Sequence, residues 1–182
     1  MNLPNLLTLS RIIMIPMLVV CFYWAGPAGK IWAAGLFCLA SFTDWFDGYL
    51  ARRWNQTTPL GAFLDPVADK LIVSVALILL VESHASVWLT IPASIIVGRE
   101  IVISALREWM AELGKRANIA VSNIGKVKTA MQMGAIAILL AAELHTWLNW
   151  IGFSLLYGAA VLTIWSMMVY LKAAWPHLSA SK

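Results

Sequence analysis

Residues Asp44–Lys70 read DWFDGYLARRWNQTTPLGAFLDPVADK. This stretch sets four aspartates, Asp44, Asp47, Asp65 and Asp69, inside a chain otherwise built for lipid. A carboxylate in or near a bilayer is costly unless it is paired or binds a cation. Four of them in one short run ask for divalent cations, and the cations ask for a substrate.

The surroundings are those of a membrane protein. The chain has 182 residues, 61% hydrophobic and 12% charged, with mean hydropathy +0.79. Soluble domains average roughly 25% charged. Ten tryptophans suit interfacial aromatic belts. We expect one domain, residues 1–182, because no long polar stretch separates a second. The net charge of +4 does not point to nucleic acid, since the basic residues cluster beside apolar runs. Cys21 and Cys38 sit in apolar runs and imply no disulfide framework. The opening MNLPNLLTLSR has no basic segment ahead of its apolar part, and no A-x-A site follows. We therefore expect no cleavable signal.

Six segments are long and apolar enough to cross a bilayer, at about 8–25, 31–52, 60–82, 87–110, 122–143 and 148–172. The expected fold is an all-α polytopic membrane protein with six transmembrane helices. A short interfacial helix starting near Pro4 should lead into the first. Short connections make neighbouring helices antiparallel. Pro16, Pro66 and Pro92 lie inside these spans. With the N-terminus inside, the outer loops hold only Lys30, and the other twelve Lys and Arg residues lie on the inner side or within spans. Both termini and the acidic stretch are then cytoplasmic.

Helical spacing arranges the acids. Asp44 and Asp47 are three apart on one face, continued by Gly48, Ala51 and Arg52. After a turn at Asn55–Pro59, Gly61, Asp65 and Asp69 recur every four residues. Two antiparallel helices would bring both acidic faces into one cytoplasmic pocket, and the small residues would admit a ligand. Oxygen-only donors suit Mg²⁺ or Mn²⁺ rather than zinc. Four carboxylates serve two bridged ions better than one, an arrangement that clamps a phosphoryl group. The competing readings are neutralisation by Arg52, Arg53 and Lys70, and proton or cation transport.

The pattern D-x-x-D-G-x-x-A-R, eight residues, then G-x-x-x-D-x-x-x-D, at Asp44, Asp47, Gly48, Ala51, Arg52, Gly61, Asp65 and Asp69, resembles the signature of the CDP-alcohol phosphatidyltransferase family. The resemblance implies metal-dependent transfer of a phosphatidyl group from CDP-diacylglycerol to an alcohol, with release of CMP. It implies that Asp44, Asp47 and Asp65 ligate metal, and that Asp69 completes the site and is the general base. It also implies that the nucleotide lies near Gly48, Ala51 and Gly61, with Arg52 on a phosphate. The face formed by Asn5, Thr8 and Arg11 should approach the cytidine or pyrophosphate. A snorkelling Arg11 on an interfacial helix is the plainer alternative.

The runs REIVISALREW at 99–109, GKVKT at 125–129 and NLPNLLTLSRI at 2–12 are similar to the branch of that family whose acceptor is sn-glycerol 3-phosphate. Its phosphate would need an anion pocket, expected at Arg107, Lys126 and Lys128; Glu100 and Arg107, seven apart, share a helix face. The plainer reading of these cations is a basic boundary at the membrane surface. Other acceptors, phosphatidylglycerol or inositol phosphate, remain open at this point. The resemblance further implies a homodimer in a bacterial inner membrane.

Overall fold

The computed structural model describes residues 3–24, 26–54, 59–112 and 123–179, with side chains described throughout these except at 3–5, 27, 45, 47–54, 59, 60, 62, 123, 124, 173, 174 and 176–179. Those residues form six long helices: α1 (Leu3–Trp24), α2 (Gly29–Trp54), α3 (Pro59–His84), α4 (Val87–Glu112), α5 (Asn123–Ala141) and α6 (Trp147–Ser179). Each expected segment is a helix. Pro59 opens α3, where its missing N–H is no loss. Of the expected turn at Asn55–Pro59, residues 55–58 lie outside the described residues. A 3₁₀ turn at Gly26–Ala28 joins α1 to α2, and Gly26 takes φ +61°, a conformation that costs glycine little.

Two expectations change. The short interfacial helix is not a separate element: α1 runs unbroken from Leu3 to Trp24, because Pro4 sits in its first turn, where proline does not interrupt the helix. And among the described residues three helices, α1, α4 and α6, are long and apolar enough to cross a membrane by length and composition. In α2 and α3 the charges at Asp44, Asp65, Asp69 and Lys70 shorten the apolar part.

The helices run up and down. Tyr23 at the end of α1 reaches Glu82 near the end of α3 (3.1 Å), and His84 at the end of α3 meets Asn149 at the start of α6 (3.0 Å). This end carries exposed Trp24, Trp32, Trp88, Trp147 and Trp150. Tryptophans gathered at one level are the mark of a membrane–water interface. Below them lies the apolar core, with Leu18, Phe37, Ile72, Leu77, Leu80, Leu89, Ile136, Leu139 and Leu156 all essentially buried. Around it, Ile31, Ile78, Ile101 and Val161 stay exposed, as lipid-facing side chains should.

The order of packing decides where the site falls. Among the described residues α1 packs closely on α2 and also on α3, and α2 and α3 meet over a smaller area. The acidic helices are neighbours as expected, and α1 lies against both. On the other side α5 and α6 approach closely, since a Cβ on Gly152 would come within 2.7 Å of Leu139. α4 packs mainly on α6.

Candidate active site at the charged end

The charged end is built on Arg11. This residue sits mid-way along an apolar helix, and its side chain is 1% exposed. A guanidinium there must find a counter-charge. It finds two. Arg11 Nη1 lies 2.9 Å from Asp44 Oδ1 of α2, and the same nitrogen donates to Asp69 Oδ1 of α3. One turn earlier on α1, the buried Thr8 hydroxyl donates to Asp65 Oδ1. Asp44 of α2 and Asp65 and Asp69 of α3 thus converge on the α1 face that carries Thr8 and Arg11. The neutralising partner is a residue from the first helix, not Lys70; Arg52 and Arg53 have side chains outside the described residues.

Asp44 and Asp69 are not used up by this contact. Their side chains remain 42% and 43% exposed, whereas Arg11 behind them is shut off from solvent. Each carboxylate therefore turns one side to the guanidinium and keeps another toward open space. Gly61, one turn before Asp65 on α3, is buried. Asn5, Asp47, Gly48, Ala51 and Arg52, also expected in this site, have side chains outside the described residues.

The donor set can be tested against a divalent cation. Among the described residues, no three acidic, histidine or cysteine side chains enclose a metal by themselves. Yet Asp44, Asp65 and Asp69 bring three formal negative charges to one positive, Arg11. All the donors are hard oxygens. Among the described side chains this cluster carries excess negative charge, partly exposed and backed by a buried cation, a donor set of the kind that suits Mg²⁺ or Mn²⁺.

A second charged group lies between α4, α5 and α6. Glu100 Oε1 accepts from Arg99 Nη1 (2.8 Å) and from Lys128 Nζ (3.3 Å). Arg99 Nη2 also reaches Ser166 Oγ of α6 at 3.3 Å. Arg99 and Lys128 are both buried. Arg107, two turns further along α4, is exposed and lies over the Tyr170 ring, 5.9 Å from its centroid. Lys126 is exposed as well. The expected trio of cations is thus split: two face outward, and Lys128 is committed to Glu100. Glu100 shares a face with Arg107 but binds its neighbour and a residue of α5 instead, because seven residues span about 10 Å of helix. Sequence reading passed over Arg99, Ser166 and Tyr170. A usable signal existed for Arg99, since a charge mid-way along an apolar helix needs a partner.

Residues 1–170 match the family model for CDP-alcohol phosphatidyltransferase. Proteins named CDP-diacylglycerol–glycerol-3-phosphate 3-phosphatidyltransferase are similar along nearly the whole chain. Those of Escherichia coli (strain K12), Shigella flexneri and Salmonella typhimurium are each 57% identical over 173 residues, 95% of this chain and 94% of theirs.

Proposed function

The chain belongs to the CDP-alcohol phosphatidyltransferase family, and from that premise we propose that it transfers the phosphatidyl group of CDP-diacylglycerol to sn-glycerol 3-phosphate. The products are phosphatidylglycerophosphate and CMP, a step of phospholipid biosynthesis. The observation that carries this reading is the 57% identity, over 95% of the chain, to proteins bearing that name.

The chemistry suits the charged end. In the reaction a glycerol hydroxyl oxygen attacks the phosphatidyl phosphorus. A new P–O bond forms, the P–O bond to CMP breaks, and CMP leaves with the electron pair. The hydroxyl proton goes to a base, for which Asp69 is the candidate: its carboxylate is exposed on the side away from Arg11. Asp44, Asp47, Asp65 and Asp69 would hold Mg²⁺ or Mn²⁺, two ions by the number of donors. Bound there, the metal would neutralise the pyrophosphate and stabilise the leaving CMP. Thr8 and Arg11 orient Asp65, Asp44 and Asp69 from behind. In this reading they act on the carboxylates first and on the nucleotide only through them. Asn5, Gly48, Ala51, Arg52 and Gly61 keep their family role around the CDP-diacylglycerol headgroup. Arg107 and Lys126, exposed near the same end, would meet the acceptor's phosphate, with Lys128 behind them.

We take all six helices to cross the bacterial inner membrane. α2 and α3 each have 26 residues, about 39 Å of helix, so each can pass a 30 Å hydrocarbon layer with its acidic end projecting. The tryptophan end then faces outward, and the aspartates and both termini face the cytoplasm, as the Lys and Arg distribution requires. For a homodimer, the mostly apolar groove of about 560 Å³ between α3 and α4, lined by Leu77, Ile78, Val97 and Ile101 and by Glu82 and Ser94, would offer a place for a partner helix.

The test is CMP release by purified protein given CDP-diacylglycerol, Mg²⁺ and a panel of acceptors. Glycerol 3-phosphate should drive release well above buffer. Release driven by phosphatidylglycerol or inositol phosphate instead would overturn the acceptor assignment. Ion flux in sealed vesicles without CDP-diacylglycerol would favour a transporter.

A further inference from the structure

We propose that Glu100 is a positioning residue for acceptor binding: by clamping Lys128 it holds the end of α5 that carries Lys126 in register with Arg107 of α4. The inference rests on the acceptor reading above.

The geometry behind it is a gap. Among the described residues, α4 and α5 each pack along α6 and hardly touch one another. Yet the two exposed cations that would grip one phosphate stand on these separate helices, Arg107 on α4 and Lys126 on α5. Among the described residues, the direct side-chain bond between α4 and α5 is Lys128 Nζ to Glu100 Oε1, at 3.3 Å. Lys128 is two residues from Lys126, in the first turns of α5. Whatever holds Lys128 therefore holds the helix end bearing Lys126. Glu100 is itself steadied, since Arg99 Nη1 donates to the same oxygen at 2.8 Å and Arg99 Nη2 binds Ser166 of α6 at 3.3 Å. The Tyr170 ring, also on α6, lies under the Arg107 guanidinium. Thus α6 carries the frame, and Glu100 closes the α4–α5 side of it.

The burial pattern separates this role from direct binding. Lys128 and Arg99 are more than nine-tenths buried, so their charges answer to Glu100 rather than to a ligand arriving from solvent. Two ammonium or guanidinium groups around one carboxylate leave the frame net positive. That excess favours a phosphate dianion at the mouth without either buried cation touching it.

The experiment is a double-mutant cycle on steady-state kinetics with the purified enzyme in detergent. Glu100→Gln should raise KM for glycerol 3-phosphate about tenfold, the scale of losing an outer support, while KM for CDP-diacylglycerol stays within about twofold. Lys128→Met should do the same, and the double variant should be no worse than the poorer single one, because both remove one tie. Multiplying effects would make Lys128 an independent phosphate ligand and overturn the proposal. So would equal rises in both KM values, or no rise. If either variant fails to fold, Glu100→Asp and Lys128→Arg keep the charges but change the reach. A shift confined to glycerol 3-phosphate supports the tie, and unchanged KM values overturn it. A wild-type enzyme that releases no CMP with glycerol 3-phosphate would remove the acceptor reading itself, and the proposal with it, before any variant is compared.

Discussion

Arg11 Nη1 stands 2.9 Å from Asp44 Oδ1 and also donates to Asp69, so one guanidinium from α1 joins the acidic faces of α2 and α3. Removing a partner from a buried ion pair leaves the other charge uncompensated. Here the carboxylates keep some contact with solvent, which softens the penalty. Arg11→Met should destabilise the protein by about 2–4 kcal/mol, at or below the range for fully buried pairs. Arg11→Lys should recover only part of that, because an ammonium is a point charge without the planar fork. Thermal unfolding in detergent reads both; a melting temperature unchanged in Arg11→Met would remove the joining role.

Asp69→Asn keeps size and shape and can still accept a hydrogen bond from Arg11, so the helices should stay packed. It removes the basic oxygen. We expect kcat to fall by about 10²–10⁴, the range for losing a general base, with the protein monodisperse in detergent. A variant that retains near wild-type CMP release would shift the base to another group.

How much of this was legible in the sequence follows from what periodicity can encode. The six helices were, because apolar runs of the right length are local signals. The acidic face of α3 was too, since Asp65 and Asp69 take their relative angle from helical spacing alone. The partner of those acids was not. Arg11 precedes Asp44 by 33 residues and Asp69 by 58, and nothing local says that α1 lies against both α2 and α3. The resemblance sent Thr8 and Arg11 toward the nucleotide, and the packing puts the carboxylates in front of them. Lys128 shows the same limit. Its place at a basic boundary was readable, but its burial against Glu100 depends on α6 holding α4 and α5 at the right spacing.

The excess of carboxylate over cation at the charged end makes metal removal a direct test. Stripping divalent ions with a chelator should abolish CMP release, and Mg²⁺ or Mn²⁺ should restore it. Ca²⁺, larger and less strict in geometry, should restore far less. Chelated enzyme that turns over at the normal rate would exclude the aspartates as a metal site. Thermal stability should rise when Mg²⁺ is added back, since a ligand that binds the folded state stabilises it.

Arg107 and Lys126 separate the acceptor from the lipid donor. Arg107 is exposed, with Tyr170 on one side of its guanidinium and open space on the other. In the proposed reading, a phosphate dianion arriving there would gain a charge-assisted, two-point contact that CDP-diacylglycerol, bound at the aspartates, would not use. Truncation should therefore fall on one substrate. Arg107→Ala should raise KM for glycerol 3-phosphate by about 10–100-fold, equivalent to about 1.4–2.7 kcal/mol, and change KM for CDP-diacylglycerol little. Arg107→Lys should recover less than half of the loss in free energy, because it keeps the charge but loses both the fork and the stacking on Tyr170. Lys126→Ala should give a smaller rise, as an exposed, flexible ammonium has one point of contact and more entropy to lose. The measurement is a matrix of initial rates over both substrates. Equal effects on the two KM values would mean that Arg107 holds the helix ends together and does not read the acceptor.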